Sequence, residues 1–349
     1  MILVNNPGSW ESMYSPLRHV EWNGWTFADL VFPFFLYITG ASLVLSQNRR
    51  AMRGASRGAL LWHAFWRGSI LIVLGLLLNL ISSFQLQQLR FSGVLQRIGV
   101  VYFLAAVLVT TTSRRIWAFV SALALLGYWA MMALIPVPGY GPGNLEPLGN
   151  LASYIDRLLM PGHLWQPTWD PEGLLSTIPA LATVLFGAIA AAWIQGIQGG
   201  QVGTENRKET QRVPVRAFVI AALAAITMGK LWGVVFPINK NLWTSSFALF
   251  TAGMATLVLA TCYWAIEMKN WRRLGQLFMP LGMNPLAIYV GSEIVGGKPL
   301  SWAQDRFFDS WFAQLGSAEL GSLLWAVIYL CLWAAVAKSM YRRAVFIRL

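Results

Sequence analysis

The sequence predicts an all-α fold, a polytopic transmembrane helical bundle, on three observations. Of 349 residues, 56% are hydrophobic and 11% charged, and mean hydropathy is +0.54, which leaves too little polar surface to cover a soluble globule of this size. The apolar residues come in runs of about 20, the length that crosses a hydrocarbon core of ~30 Å at 1.5 Å per residue. The basic residues, which give a net charge of +12, gather between alternate runs. In a soluble protein that charge would suggest nucleic acid; here its placement relative to the spans carries the meaning, and no nucleic-acid partner is expected.

Residues 1–6, MILVNN, read as the tail of a helix, because six residues cover only about 9 Å of the core. A polar loop with Gly and Pro follows over 7–24, and Trp25–Gln47 is the first complete crossing. The stretch 48–67 holds Arg49, Arg50, Arg53, Arg57 and Arg67 without an acid and is expected on the cytoplasmic side. Further spans are predicted at 68–84, 93–112, 116–135, 174–194, 216–237, 243–266, 277–295 and 321–340, nine complete crossings in all. Between these spans, the side of Arg49 collects 18 of the 26 basic residues but only Glu205, Glu209 and Glu267 of the 14 acids. That asymmetry predicts a cytoplasmic carboxyl terminus and puts the loops 7–24, 136–173 and 296–320 outside. The outer loops and helix mouths hold 11 acids, among them Glu21, Asp29, Asp156, Asp170 and Glu172, a vestibule suited to a cationic or amine-bearing ligand. Cys262 and Cys331 lie in apolar runs, with neither disulfide nor metal-ligand spacing, so no metal is expected.

The chemistry-bearing residues cluster at one helix mouth. His19 stands just outside the first span, where an imidazole can exchange protons near neutral pH; a plain surface histidine is the competing reading, and His163 in PGHLWQ a competing candidate, whereas His63 lies in the basic stretch. Asp29 completes Thr26-x-x-Asp29, a capping box, or else orients a histidine. Asp170-Pro171-Glu172 reads equally as a helix start and as carboxylates facing a ligand. Arg97, Lys230 and Glu293 are charges within or at the ends of spans, which line cavities or reach for the interface. Asn239, Lys240 and Asn241 sit at an outer mouth, where Asn241 could cap the next helix.

Seven stretches, VNN at 4–6, HVEWNGWTFADLVFPFF at 19–35, GVLQRIGVVYF at 93–103, YIDRLL at 154–159, WDPEGLLSTI at 169–178, PINKNLWTSS at 237–246 and GMNPLAIYVG at 282–291, run through nearly the whole chain. Together they make the sequence resemble the membrane-embedded heparan-α-glucosaminide N-acetyltransferases and their bacterial relatives. The resemblance implies one acyltransferase domain over residues 1–349 that moves acetyl from cytosolic acetyl-CoA to the amine of a glucosamine-type sugar across the membrane. It implies His19 as the active-site histidine, with Asn5 as its polar partner. Chemistry fits these roles: a glucosammonium must lose a proton before attacking a thioester, and an Asn amide can donate to the tetrahedral intermediate. Asp29 would orient the imidazole. Arg97 and Asn284 are expected along the acetyl-CoA path, cytoplasmic cations on its phosphates, and Asp170, Glu172, Asn239, Lys240 and Asn241 near the acceptor. Relatives begin with a complete first helix, so the natural chain is expected to extend upstream of Met1, and the lack of a luminal domain favours a bacterial inner membrane. The oligomeric state is left open, a homodimer included. A transporter of amino-sugar or cationic solutes is the alternative, since intramembrane charges and Gly/Pro-broken spans also suit transport.

Overall fold

The computed structural model describes residues 1–83, 86–199, 215–296 and 317–347, and these form a helical bundle. In chain order the helices are α1 (Ile2–Asn5), α2 (Phe27–Met52), α3 (Arg57–Ser83), α4 (Val94–Thr111), α5 (Arg114–Leu134), α6 (Leu151–Leu159), α7 (Thr177–Gly199), α8 (Val215–Trp232), α9 (Ser245–Tyr263), α10 (Arg272–Met283), α11 (Pro285–Gly296) and α12 (Ala318–Arg342). Among the described residues, α2, α3, α4, α5, α7, α8, α9 with its continuation to Met268, and α12 are long and apolar enough to cross a membrane.

The helices overrun the apolar spans from which they were predicted. The arginine-bearing stretch 48–67 is mostly helix, because Arg, Leu and Ala favour that state and a helix end in polar surroundings loses nothing by continuing; only 53–56 turn the chain. The span predicted at 277–295 is two 12-residue helices broken at Asn284. Pro285 disfavours helical geometry in the residue before it. Asn284, fully buried, uses the break: its Nδ2 donates to the Val345 carbonyl at 3.0 Å and its Oδ1 accepts from the Ile347 N–H at 2.9 Å.

Close approach between helices is built on glycine. A Cβ on Gly40 of α2 would fall 1.8 Å from the Val184 carbonyl oxygen of α7, and one on Gly187 would fall 1.8 Å from the Tyr37 carbonyl oxygen. This reciprocal contact, with Asn48 bonded to Gln195 further along, makes α2 and α7 a parallel pair. Gly68 and Gly99 do the same for the antiparallel α3 and α4. Around α2 and α7 lies the main core, with Leu36, Val101, Ala105, Leu185 and Phe247 almost fully buried. The helix directions bring residues 19–26, 90–94, 160–176 and 237–244 to one end of the bundle. Arg49, Arg50, Arg57, Arg114, Arg115, Arg216, Arg342 and Arg343 lie toward the other.

Candidate active site

The start of α2 is organised by one carboxylate. Asp29 Oδ2 accepts from the Thr26 N–H and hydroxyl, each at 3.0 Å, and from the Val20 N–H at 3.3 Å, so the capping reading of Thr26-x-x-Asp29 holds. The same group's Oδ1 lies 2.7 Å from His19 Nδ1, so the carboxylate that caps the helix also touches the imidazole. The two readings are halves of one arrangement. At 2.7 Å the ionised carboxylate favours the tautomer with the proton on Nδ1, which leaves Nε2 as the accepting ring nitrogen.

Lys240 joins this pair from 211 residues beyond Asp29, with Nζ 3.3 Å from Asp29 Oδ1 and 3.1 Å from His19 Nδ1. Its loop is laced onto the His19 loop. Gly24 N–H donates to the Ile238 carbonyl at 2.8 Å, Asn241 Nδ2 to the Glu21 carbonyl at 3.2 Å and Asn239 Nδ2 to Asn23 Oδ1 at 3.1 Å. Asn239 is fully buried and also holds the Leu242 N–H through Oδ1. The cap of α9 is Thr244, which accepts from Phe247 N–H, so Asn241 is a loop brace instead of the expected cap.

His19, its side chain 36% exposed, and Lys240 line a cavity of about 1390 Å³. Asn5, Glu293, Glu172 and Tyr289 share the wall, and Asn5 Nδ2 faces Glu293 Oε1 at 3.4 Å. The half-helix α11 delivers Glu293 and Tyr289 to this end. The carboxylates of the 160–176 loop meet a cation that the sequence reading passed over. Arg90 Nε and Nη2 reach Asp170 at 2.8 and 2.6 Å, and Nη2 also bonds Glu172. Burial works against the charge of Arg90, but the Glu172 and Asp170 carboxylates overcome it and raise its pKa. Burial would likewise raise Asp170, yet its bonds to Arg90 hold it below the ordinary carboxylate value. Asp170 does not cap α7, which starts six residues after Pro171; it braces a turn through the Glu172 N–H at 2.9 Å and the Trp165 N–H at 2.8 Å. Two acids two residues apart, with no arginine or lysine in the 160–176 loop, were the signal that a distant cation belonged there.

The remaining candidates lie outside the cavity wall. His163 donates from Nδ1 to the Leu89 carbonyl at 2.7 Å and stacks on Phe91, which explains it as a loop clamp. Arg97 is 2% exposed, bonded to the Gly173 carbonyl at 2.9 Å and to the Ser176 hydroxyl, with its guanidinium over the Trp243 ring. It ties the start of α4 to the 173–176 turn and to Trp243 and does not reach the interface. Lys230 is exposed near the end of α8, as an interface-seeking lysine should be. Asn284, at the far end, is engaged by the carboxyl-terminal tail.

Residues 11–226 match the family model described as heparan-alpha-glucosaminide N-acetyltransferase, catalytic. The chain is 29% identical to the heparan-alpha-glucosaminide N-acetyltransferase of Homo sapiens over 404 residues, covering 99% of this chain and 57% of the relative. It is also 29% identical to that of Mus musculus over 403 residues, covering 99% and 58%. It thus spans a little over half the length of these relatives. With the family match extending over more than half of the sequence and taking in His19, Asp29, Arg90 and Asp170, the chain belongs to the heparan-alpha-glucosaminide N-acetyltransferase catalytic family.

Proposed function

We propose that this protein is an acetyl-CoA-dependent N-acetyltransferase that acetylates the amine of a glucosamine-type sugar on the side of the membrane opposite the cytosol. One observation carries the reading: His19, with Nδ1 held by Asp29 and Nε2 free, lines a cavity large enough for a sugar and the arm of a thioester donor. Nε2 takes a proton from the acceptor ammonium, and the neutral amine attacks the thioester carbon. The C–S bond breaks, sulfur receives the proton from the imidazolium, and the surplus proton on the new amide passes through Nε2 to water. Asp29 stabilises the imidazolium while it exists, and Lys240 limits how much negative charge faces the ring. Asn5 donates to the reacting carbonyl in this reading, while Glu172, Glu293 and the rim residue Asn241 shape the acceptor side, and buried Asn239 holds the loop that carries Asn241.

Positive helix ends opposite His19 support acetyl-CoA phosphates and a carboxyl terminus on the cytosolic side, with the sugar arriving from outside, as in a bacterial inner membrane. Arg97 and Asn284 then serve the donor path indirectly, one by tying the start of α4 to the 173–176 turn and the other by pinning the tail at the cytosolic end. The break at Asn284 also suits a transporter, whose binding helices are discontinuous. Purified protein in vesicles, supplied with labelled acetyl-CoA outside or inside and glucosamine in the other compartment, separates the readings. Label on the amine supports the enzyme, and lies within the opposite compartment only for one orientation of the protein. Unmodified glucosamine crossing without label transfer would sink it. His19→Ala is expected to lower turnover by at least ~10²-fold while leaving CoA binding intact.

A further inference from the structure

The floor of the cavity contains a donor group that the mechanism above does not use. Helix α4 begins at the cavity wall, where Gly93, Val94, Leu95 and Gln96 all contribute to the lining. Its N-cap is Gly93, so no side chain caps the first-turn N–H groups. Such a turn carries a partial positive charge and favours an electron-rich oxygen. The second, independent observation is Gln96 itself. Its side chain is 93% withdrawn from solvent, and Nε2 has no hydrogen-bond partner among the described residues. A buried amide NH₂ group without a partner is costly unless something else completes it.

Two glycines leave room for that carboxamide. A Cβ on Gly75 of α3 would lie 2.2 Å from Gln96 Oε1, and one on Gly93 would lie 2.6 Å from it. At Gly75 the three nearest atoms all belong to the Gln96 amide, so this glycine makes the slot in which the amide sits. Asn5 directs one amide hydrogen at Glu293 and has the second to share with the reacting carbonyl, so a further donor there adds to it.

We infer that the first turn of α4, together with the Gln96 carboxamide, receives the carbonyl oxygen of the acyl thioester. The inference rests on the acetyl-transfer reading and extends it. When the amine attacks, the electron pair of the C=O bond moves onto oxygen, where the α4 N–H groups and Gln96 donate to it. The pair returns as the C–S bond breaks. Neutral donors fixed in place suit this task, since they need not reorganise as the charge appears.

The test uses acetyl-CoA carrying a ¹³C-labelled carbonyl, with the thioester stretch read by difference infrared spectroscopy and turnover measured in parallel. In the wild-type protein the stretch is expected at lower frequency than for acetyl-CoA in solution. Gln96→Leu should return it toward the solution value and lower turnover about 10²-fold, with the affinity for CoA lacking acetyl unchanged. Gly75→Ala keeps the glutamine but displaces its amide, so it should shift the band the same way even if Gln96→Leu folds poorly. An unmoved band in Gly75→Ala, or a loss of CoA affinity as large as the loss of acetyl-CoA affinity, would overturn the assignment. The readouts also divide from the functional proposal: a shifted band without transfer to the amine sinks that proposal alone, and transfer with an unmoved band sinks this inference alone.

Discussion

Replacing Asp29 by Asn keeps the size of the side chain and changes one oxygen into a donor. Two arrangements are open to the amide. Oδ2 has three N–H or O–H donors around it, from Thr26 and Val20, so the amide oxygen takes that place and retains the cap. The NH₂ group must then occupy the position of Oδ1, facing His19 Nδ1 and the Lys240 ammonium. An N–H pointing at Nδ1 makes that nitrogen an acceptor and moves the ring proton to Nε2, the atom that has to accept from the amine. The histidine is present but in the wrong tautomer.

The expected cost to turnover is about 10²- to 10⁴-fold, the range for losing a general base or inverting its tautomer. At about 1.36 kcal/mol per decade this is about 3 to 5 kcal/mol of barrier. Stability should fall far less. The cap survives, the helix-dipole contribution of the carboxylate is only about 0.3–1 kcal/mol, and Lys240, which lines the cavity, can turn to solvent there. Single-turnover transfer from labelled acetyl-CoA across a pH series, with a melting curve alongside, checks this. A tautomer is not a protonation state, so raising the pH should not restore the rate. Turnover within threefold of wild type, or full recovery at high pH, would refute the orientation argument.

The close approach of α2 and α7 predicts that Gly40→Ala is destabilising by about 1–3 kcal/mol, because its methyl would strike the Val184 backbone, whereas Gly127→Ala, with open space around its Cβ, should be neutral or mildly stabilising in the same melting assay. Burial pushes the Asp156 carboxyl up to about 6 from 3.8, so the folded protein holds this proton more tightly than the unfolded chain. Stability should therefore decline as pH rises from about 4 to 6, by up to ~3 kcal/mol from this group, and Asp156→Asn should flatten that window in denaturant titrations. Asn284→Ala removes both bonds to the carboxyl-terminal tail and should speed hydrogen exchange at Ile347, with no change there if the tail is held by other contacts.

Much of the bundle was legible because lipid and backbone physics leave few alternatives: a long apolar run must bond its own peptide groups and so becomes a helix. The misreadings share a cause. Hydropathy marks where a helix is apolar, not where it ends, so α3 begins at Arg57 well before the apolar run, and a polar Asn284 inside an apolar stretch went unnoticed as a break. The candidate site divides along the same line. His19 and Asp29 are ten residues apart, within reach of a local motif, and the sequence reading brought them together. Arg90 meets Asp170 across 80 residues, and Lys240 meets His19 across 221, so neither pairing has a local signature.

The long-range pairings also explain why single motifs were ambiguous. Asp29 was weighed as a cap against an orienting group, yet a carboxylate has two oxygens with about four acceptor positions, and the fold assigns one oxygen to each task. Asp170 is not the cap of α7, and its two oxygens are shared between Arg90 and the N–H groups of Trp165 and Glu172. A short polar motif limits which local bonds can form; the number of acceptors left over determines what the rest of the chain must supply. At Asp29 that remainder is one oxygen, and the fold brings it a histidine and a lysine. By the same count Gln96 has its Nε2 group left over, and because it lines the cavity, unlike the better-satisfied Asn239 and Asn284, a ligand there can supply the partner.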